Sequence, residues 1–161
     1  MTDSVAISRG EEILASEAGP PTEILKLARQ LEHERALTLA RRLLEFGYNR
    51  PEVRSDPDLR EKFGKRLALL TYKDSELPAE KALKDALTLL EQSFDLAKTN
   101  DQEVLGLAGA IWKRRFDLME EKRDLERSAG YYTRGVEQGA AQDQGYTGIN
   151  AAFVLDRLAA H

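Results

Sequence analysis

The stretches LALLTYK (residues 67–73) and LAGAIWK (residues 107–113) decide the fold class. Both consist of a Leu-Ala pair, three further residues, an aromatic residue and a lysine, and they lie 40 residues apart. A Leu-Ala pair also occurs 40 residues earlier, at Leu27-Ala28, and an Ala-Ala pair follows at 151–152. Self-similarity at a period of roughly 20 to 50 residues is typical of repeat proteins. We therefore expect a tandem repeat of about 40 residues.

The residues around these stretches have the periodicity of amphipathic helices. Apolar side chains recur at spacings of three and four residues, which places them on one face of a helix. The composition agrees, because 42% of the 161 residues are hydrophobic, 32% are charged, and the few Gly and Pro mostly fall between apolar stretches. Each repeat is then a helix pair, and stacking of the pairs predicts an all-α fold, an α-α superhelix of about seven helices.

The predicted organisation is a tail followed by a repeat domain. We expect a mobile tail over residues 1–21, because this segment is mostly polar and ends in Gly19-Pro20-Pro21. Residues 22–161 form the predicted tetratricopeptide-like repeat domain. Its helix pairs are expected at about 22–47, 56–97 and 101–138, with a final helix at about 146–159. That final helix lacks a partner in this sequence, so we expect it either to cap the repeats or to continue into a longer protein.

Charge and composition exclude several classes of function. The net charge of −4 argues against a protein that binds the phosphate backbone of nucleic acids. The chain has no cysteine, which excludes disulfides and thiolate ligands. The first residues do not form a signal peptide, and no segment has the ~18 unbroken apolar residues of a membrane helix. We therefore expect a cytoplasmic protein that binds neither nucleic acid nor a membrane.

No group of residues predicts catalysis, a metal site or a bound cofactor. His33 and His161 are the only histidines, and the acidic neighbours of His33 point to diverging sides of a helix. Gly106 and Gly109 lie within a helical pattern, and the Lys-Ser/Thr of a phosphate-binding loop does not follow them. We expect a non-catalytic protein without metal or cofactor.

Four segments between residues 104 and 155 are similar to a known family. They are LAGAIWK, RDLERS at 123–128, YYTRGVE at 131–137 and YTGINAA at 146–152. Together they resemble the TRAFs-binding domain, a tetratricopeptide region found in the central regulatory part of apoptosis signal-regulating kinases and in bacterial multidomain proteins. The resemblance implies a scaffold in signalling that binds proteins or positions neighbouring domains. It implies neither TRAF binding nor kinase activity, because kinase motifs are absent from the sequence.

Five residues are candidates for a partner-binding groove: Tyr72, Lys73, Trp112, Lys113 and Asn150. The two aromatic-lysine pairs occupy equivalent repeat positions, so two cations one repeat apart could hold an acidic peptide or a carboxylate. Alternatively, the rings belong to the core and the lysine heads extend past them into water. Asn150 is unfavourable in a helix interior, so its amide either binds a peptide or bonds the backbone of the adjacent turn.

The expected function is a non-catalytic scaffold or regulatory module that binds a protein or peptide, in signalling and within a longer multidomain protein. The alternative is a structural spacer or a homo-oligomerisation module, in which another copy or another domain fills the same faces. The basic run Lys113-Arg114-Arg115 does not predict a phosphate site, because consecutive helical residues point about 100° apart.

Overall fold

The computed structural model describes residues 4–139 and 142–161, and within these ranges the chain is helical without any β-strand. The helices are α1 Val5–Ser16, α2 Pro21–His33, α3 Leu37–Tyr48, α4 Pro51–Arg54, α5 Pro57–Lys73, α6 Ala79–Ser93, α7 Gln102–Met119, α8 Lys122–Glu137 and α9 Tyr146–Ala159. The predicted all-α fold class is confirmed. In the described part of the chain, α1 and the single turn α4 are additional to the helices that we expected.

Side-chain caps explain where two of the central helices begin. The Asp56 carboxylate accepts hydrogen bonds from the backbone amides of Asp58 and Leu59, at 3.0 and 3.3 Å, just before α5. The Asp101 carboxylate accepts one from the amide of Val104, at 3.1 Å, just before α7. Such bonds satisfy amides that have no partner in the first turn of a helix, so they fix the helix start.

The helices form two compact units, the first ending at Leu89 and the second beginning at Leu90. In the first unit, α3 packs against α1, α2 and α5. In the second unit, α8 packs against α7 and α9. Fully buried side chains of the first unit include Ile24, Leu31, Leu43 and Phe63, and those of the second include Val104, Leu105, Leu125 and Tyr132.

Helix α1 occupies a segment that we expected to be a mobile tail. Ser4 Oγ accepts a hydrogen bond from the amide of Ala6 at 3.1 Å, and Ala6 and Ile13 are buried in the core of the first unit. Gly10 lies between them, and a Cβ at this position would stand 3.0 Å from Leu43 Cδ1. The prediction is therefore wrong for residues 5–16, because the buried stripe has a glycine at its centre and glycine adds nothing to an apolar pattern. Residues 1–3 of the predicted tail lie outside the described residues.

Candidate binding surfaces

Tyr72 and Lys73 form the end of α5 in the first unit. Tyr72 is half-buried, whereas Lys73 is exposed to solvent. The lysine can therefore reach a ligand, and the tyrosine contributes only part of its ring to the surface.

A buried ion pair holds this end of α5 against α3. The Asp74 carboxylate, 2% exposed, accepts a hydrogen bond from Arg41 Nε at 2.7 Å and another from Thr38 Oγ1 at 3.3 Å. The backbone amide of Glu76 donates to the same carboxylate at 3.0 Å. Burial by itself would raise the pKa of Asp74, but the bonds from Arg41, the Glu76 amide and Thr38 together lower it below its usual value. The ionised carboxylate therefore fixes the position of the chain that follows Lys73.

Trp112 in α7 is buried, with 7% of its surface exposed. The guanidinium groups of Arg115 and Arg127 lie over its ring, 5.1 and 4.5 Å from the centroid. Both arginines also approach the buried carboxylate of Asp124, at 3.2 and 4.0 Å. Because arginine side chains cover the indole, a partner at this position would meet guanidinium groups first.

Lys113 and Asn150, predicted as separate candidates, lie in direct contact. Lys113 Nζ donates a hydrogen bond to Asn150 Oδ1 at 3.1 Å. Asn150 Nδ2 donates to the backbone carbonyl of Tyr146 at 2.9 Å, one turn earlier in α9. The amide thus bonds the adjacent turn, which is one of the two interpretations above, and it also links α9 to α7.

Two further side chains of α9 extend this contact into one surface. Lys113 Nζ lies 5.2 Å from the ring centroid of Phe153, which is 51% exposed. The Arg157 guanidinium lies 5.6 Å from the same ring and pairs with Asp117 of α7 at 2.9 Å. We call Lys113, Asn150, Phe153 and Arg157 the α7–α9 surface. It combines two cations, an amide and an exposed aromatic ring.

Phe153 and Arg157 were not among the residues predicted from the sequence. Asn150, Phe153 and Arg157 follow one another at spacings of three and four residues, so they share a helix face. This spacing could have indicated that Phe153 and Arg157 lie beside Asn150. Apolar residues of α9 lie on all sides of the helix, however, so the spacing did not show which face packs against α7 and α8.

Helix α9 approaches α8 closely at Gly135. A Cβ at this position would lie 2.6 Å from Cγ2 of Thr147, which is fully buried in the first turn of α9. We expect Gly135→Ala to lower the free energy of unfolding by about 2 kcal/mol, because the overlap outweighs the gain in helix propensity. At Gly130, on the same helix, a Cβ would have open space within 4 Å. Gly130→Ala should instead stabilise the protein by up to ~1 kcal/mol.

Urea denaturation of the two glycine variants measures this difference. Equal stabilisation by both substitutions would contradict the packing of α9 on α8, and with it the position of the α7–α9 surface.

A cavity of about 360 Å³ lies in the first unit, lined by Arg29, Glu32 and His33 of α2 and by Arg66 of α5. Arg66 Nη2 and Glu32 Oε2 are 2.8 Å apart, so an ion pair joins the two helices at the cavity. The residues around His33 in the sequence did not predict a binding site. Arg29 and Arg66 are distant in sequence, and no local pattern indicated that they line the same cavity.

Among residues 4–139 and 142–161, no group of three or more His, Asp or Glu side chains could hold a metal ion. No helix in the same ranges has the length and apolar character needed to cross a membrane.

Comparison with protein families gives one match that covers most of the chain. A model described as Tetratricopeptide Repeats-Sensor matches residues 32–155, from the end of α2 into α9. Comparisons with curated proteins and with solved structures gave no match. The packing of α2 on α3 and of α7 on α8 agrees with the helix-turn-helix unit of tetratricopeptide repeats, which confirms the predicted repeat type. The chain therefore belongs to the Tetratricopeptide Repeats-Sensor family.

Proposed function

We propose that this chain is a non-catalytic protein-interaction module that holds a protein or peptide segment on the α7–α9 surface. Its tetratricopeptide type supports an interaction role, because such domains generally bind other proteins. The contact of Lys113 with Asn150, beside the exposed ring of Phe153, supports this position of the site. Tyr72, Lys73 and Trp112 stay candidates for binding a partner.

The chemistry of the α7–α9 surface suits an acidic segment that carries an apolar side chain. A lysine ammonium has three donors, so Lys113 has further donors for a carboxylate after bonding Asn150. The Phe153 ring offers apolar contact area beside it. Arg157 adds a guanidinium group beside the same ring, where it also pairs with Asp117. A segment with an Asp or Glu next to an aromatic or aliphatic residue would use all three.

Selection from a displayed library of random peptides tests this function. We expect the selected peptides to combine acidic and large apolar residues. Lys113→Gln should weaken their binding about tenfold, the usual effect of losing a hydrogen bond to a charged group, and Phe153→Ala should do the same. Fluorescence anisotropy of labelled peptides measures the affinities.

Two matched variants control for general changes of charge and apolar surface. Lys122 is exposed at the start of α8, and Leu155 is 51% exposed on α9 outside the α7–α9 surface. Lys122→Gln and Leu155→Ala should bind the selected peptides like the unaltered protein. If they weaken binding as much as Lys113→Gln and Phe153→Ala, the proposed site is wrong.

We also propose that the module works in signalling, in the cytoplasm and as part of a longer multidomain protein. The similarity of residues 104–155 to the TRAFs-binding domain supports this context, and the word sensor in the family description agrees with it. In that setting the module would position partners and leave any chemistry to other proteins or domains.

Self-association is a second candidate function, favoured by the exposed apolar side chains of α9. Ile149 is 71% exposed and Leu155 is 51% exposed. Ile149 lies one turn before the exposed ring of Phe153, and adjoining apolar side chains on a surface often mark a protein interface. Light scattering coupled to gel filtration separates the two functions: a dimer that becomes a monomer in Ile149→Ser would favour self-association.

A further inference from the structure

We propose that the cavity lined by α2 and α5 binds the phosphate group of a small molecule. This site lies in the first unit, and the proposal is independent of the α7–α9 surface, which lies in the second unit. The donors that line the cavity, their charge and the size of the cavity all favour such a ligand.

Three of the four lining side chains can donate hydrogen bonds. Arg29 and His33 lie four residues apart on α2, so their side chains share one helix face. Arg66 comes from α5, and its ion pair with Glu32 ties the two helices together. A guanidinium group has five N–H donors. Arg66 uses Nη2 for its ion pair with Glu32, so its guanidinium group has further N–H donors.

The charges of the cavity favour an anion. Glu32 compensates the charge of Arg66. Arg29 forms no ion pair with any carboxylate in residues 4–139 and 142–161, so one positive charge is left uncompensated. The chain as a whole has a net charge of −4, so a cationic cavity departs from its general character.

The number of donors and the volume indicate which anion fits. A phosphate group offers three oxygen acceptors, one for each of Arg29, His33 and Arg66, whereas a carboxylate offers two. Planar guanidinium groups bind phosphate through paired N–H bonds. A volume of about 360 Å³ is near the lower end of the roughly 300–1,000 Å³ of small-molecule sites. The cavity therefore suits a small phosphate ester.

Titration with inorganic phosphate and with glycerol 2-phosphate tests the proposal. The full chain, labelled with ¹⁵N, is titrated at low ionic strength, because salt screens such binding. We expect saturable shifts of backbone amides in α2 and α5 for both probes. Arg29→Gln should weaken binding about tenfold. Glu32→Gln should strengthen it, since the substitution removes a repelling carboxylate from the cavity.

Matched variants separate a built site from general electrostatics. Arg42 and Glu61 are exposed residues of the first unit outside the cavity lining. Arg42→Gln and Glu61→Gln alter the net charge as the test variants do, and they should leave the affinity unchanged. Thermal unfolding of every variant shows whether the fold is kept.

A phosphorylated peptide is titrated in the same way for comparison. Three results would overturn the proposal: no saturable shifts with any probe, equal weakening by Arg29→Gln and Arg42→Gln, or shifts that saturate only with the phosphorylated peptide. The last result would assign the cavity to a protein partner. None of the three affects the test of the α7–α9 surface, because that test uses different ligands and residues of the other unit.

Discussion

Asp74→Ala should lower the free energy of unfolding by about 4 kcal/mol, because it breaks a buried ion pair. The substitution leaves Arg41, only 16% exposed, without the carboxylate that lies 2.7 Å away. The hydroxyl of Thr38 and the amide of Glu76 lose their acceptor as well. Arg41 would keep only its longer contact with Glu45, at 3.5 Å, so the connection between α3 and α5 should weaken.

A second ion pair of the first unit provides the control. Asp58 pairs with Lys62 at 2.9 Å, but the two side chains are 73% and 59% exposed. Exposed pairs contribute little, so Asp58→Ala should cost less than about 1 kcal/mol. Urea denaturation at neutral pH measures both variants, and equal losses would show that Asp74 does not tie α5 to α3.

The pH dependence of stability provides an independent check on Asp74. Its folded-state pKa is lowered, so its contribution is fully present above the unfolded pKa of about 3.9 and is lost as the pH falls through the folded value. The difference in stability between the unaltered protein and Asp74→Ala should therefore be constant from pH 7 to about pH 5 and shrink below about pH 4. A difference that stays constant down to the acid limit would contradict the ionised pair.

Ile13→Ala should lower the free energy of unfolding by about 3 kcal/mol, the usual cost of truncating a fully buried aliphatic side chain. Val5, on the same helix, is 85% exposed. Val5→Ala should therefore change the stability by less than about 0.5 kcal/mol. Chemical denaturation of the two variants compares them directly. Small and equal effects would instead mean that residues 5–16 belong to the mobile tail predicted from the sequence and not to the folded first unit.

The repeat positions were predictable because each carries a small residue where one helix packs closely against another. Ala28, Ala68 and Ala108 are all fully buried, as expected for small residues that let a neighbouring helix approach. The fourth position breaks the rule, since Ala151 is buried but Ala152 is exposed. The local spacing of apolar residues predicted the helices of the repeat. It did not predict α1, because Gly10 takes the place of an apolar residue in the buried stripe of this helix.

The site was less predictable than the helices, because it depends on contacts between helices. Lys113 and Asn150 could each be chosen from the sequence, but their hydrogen bond depends on how α9 packs against α7. The equivalence of Tyr72 and Trp112 also holds only in sequence, since Tyr72 is half-buried while Trp112 is buried beneath two arginines. Repeat position fixes which helix carries a residue, and the neighbouring helices decide what it contacts.

Mapping a bound peptide by NMR tests the central claim most directly. A peptide selected on the chain is added to the ¹⁵N-labelled protein, and the shifts of the backbone amides are followed to saturation. We expect the largest shifts in α7 around Lys113 and in α9 between Asn150 and Arg157. Lys113→Gln should reduce these shifts at equal peptide concentration. Saturable shifts confined to helices α1–α5, with none in α7 or α9, would contradict the proposed binding surface.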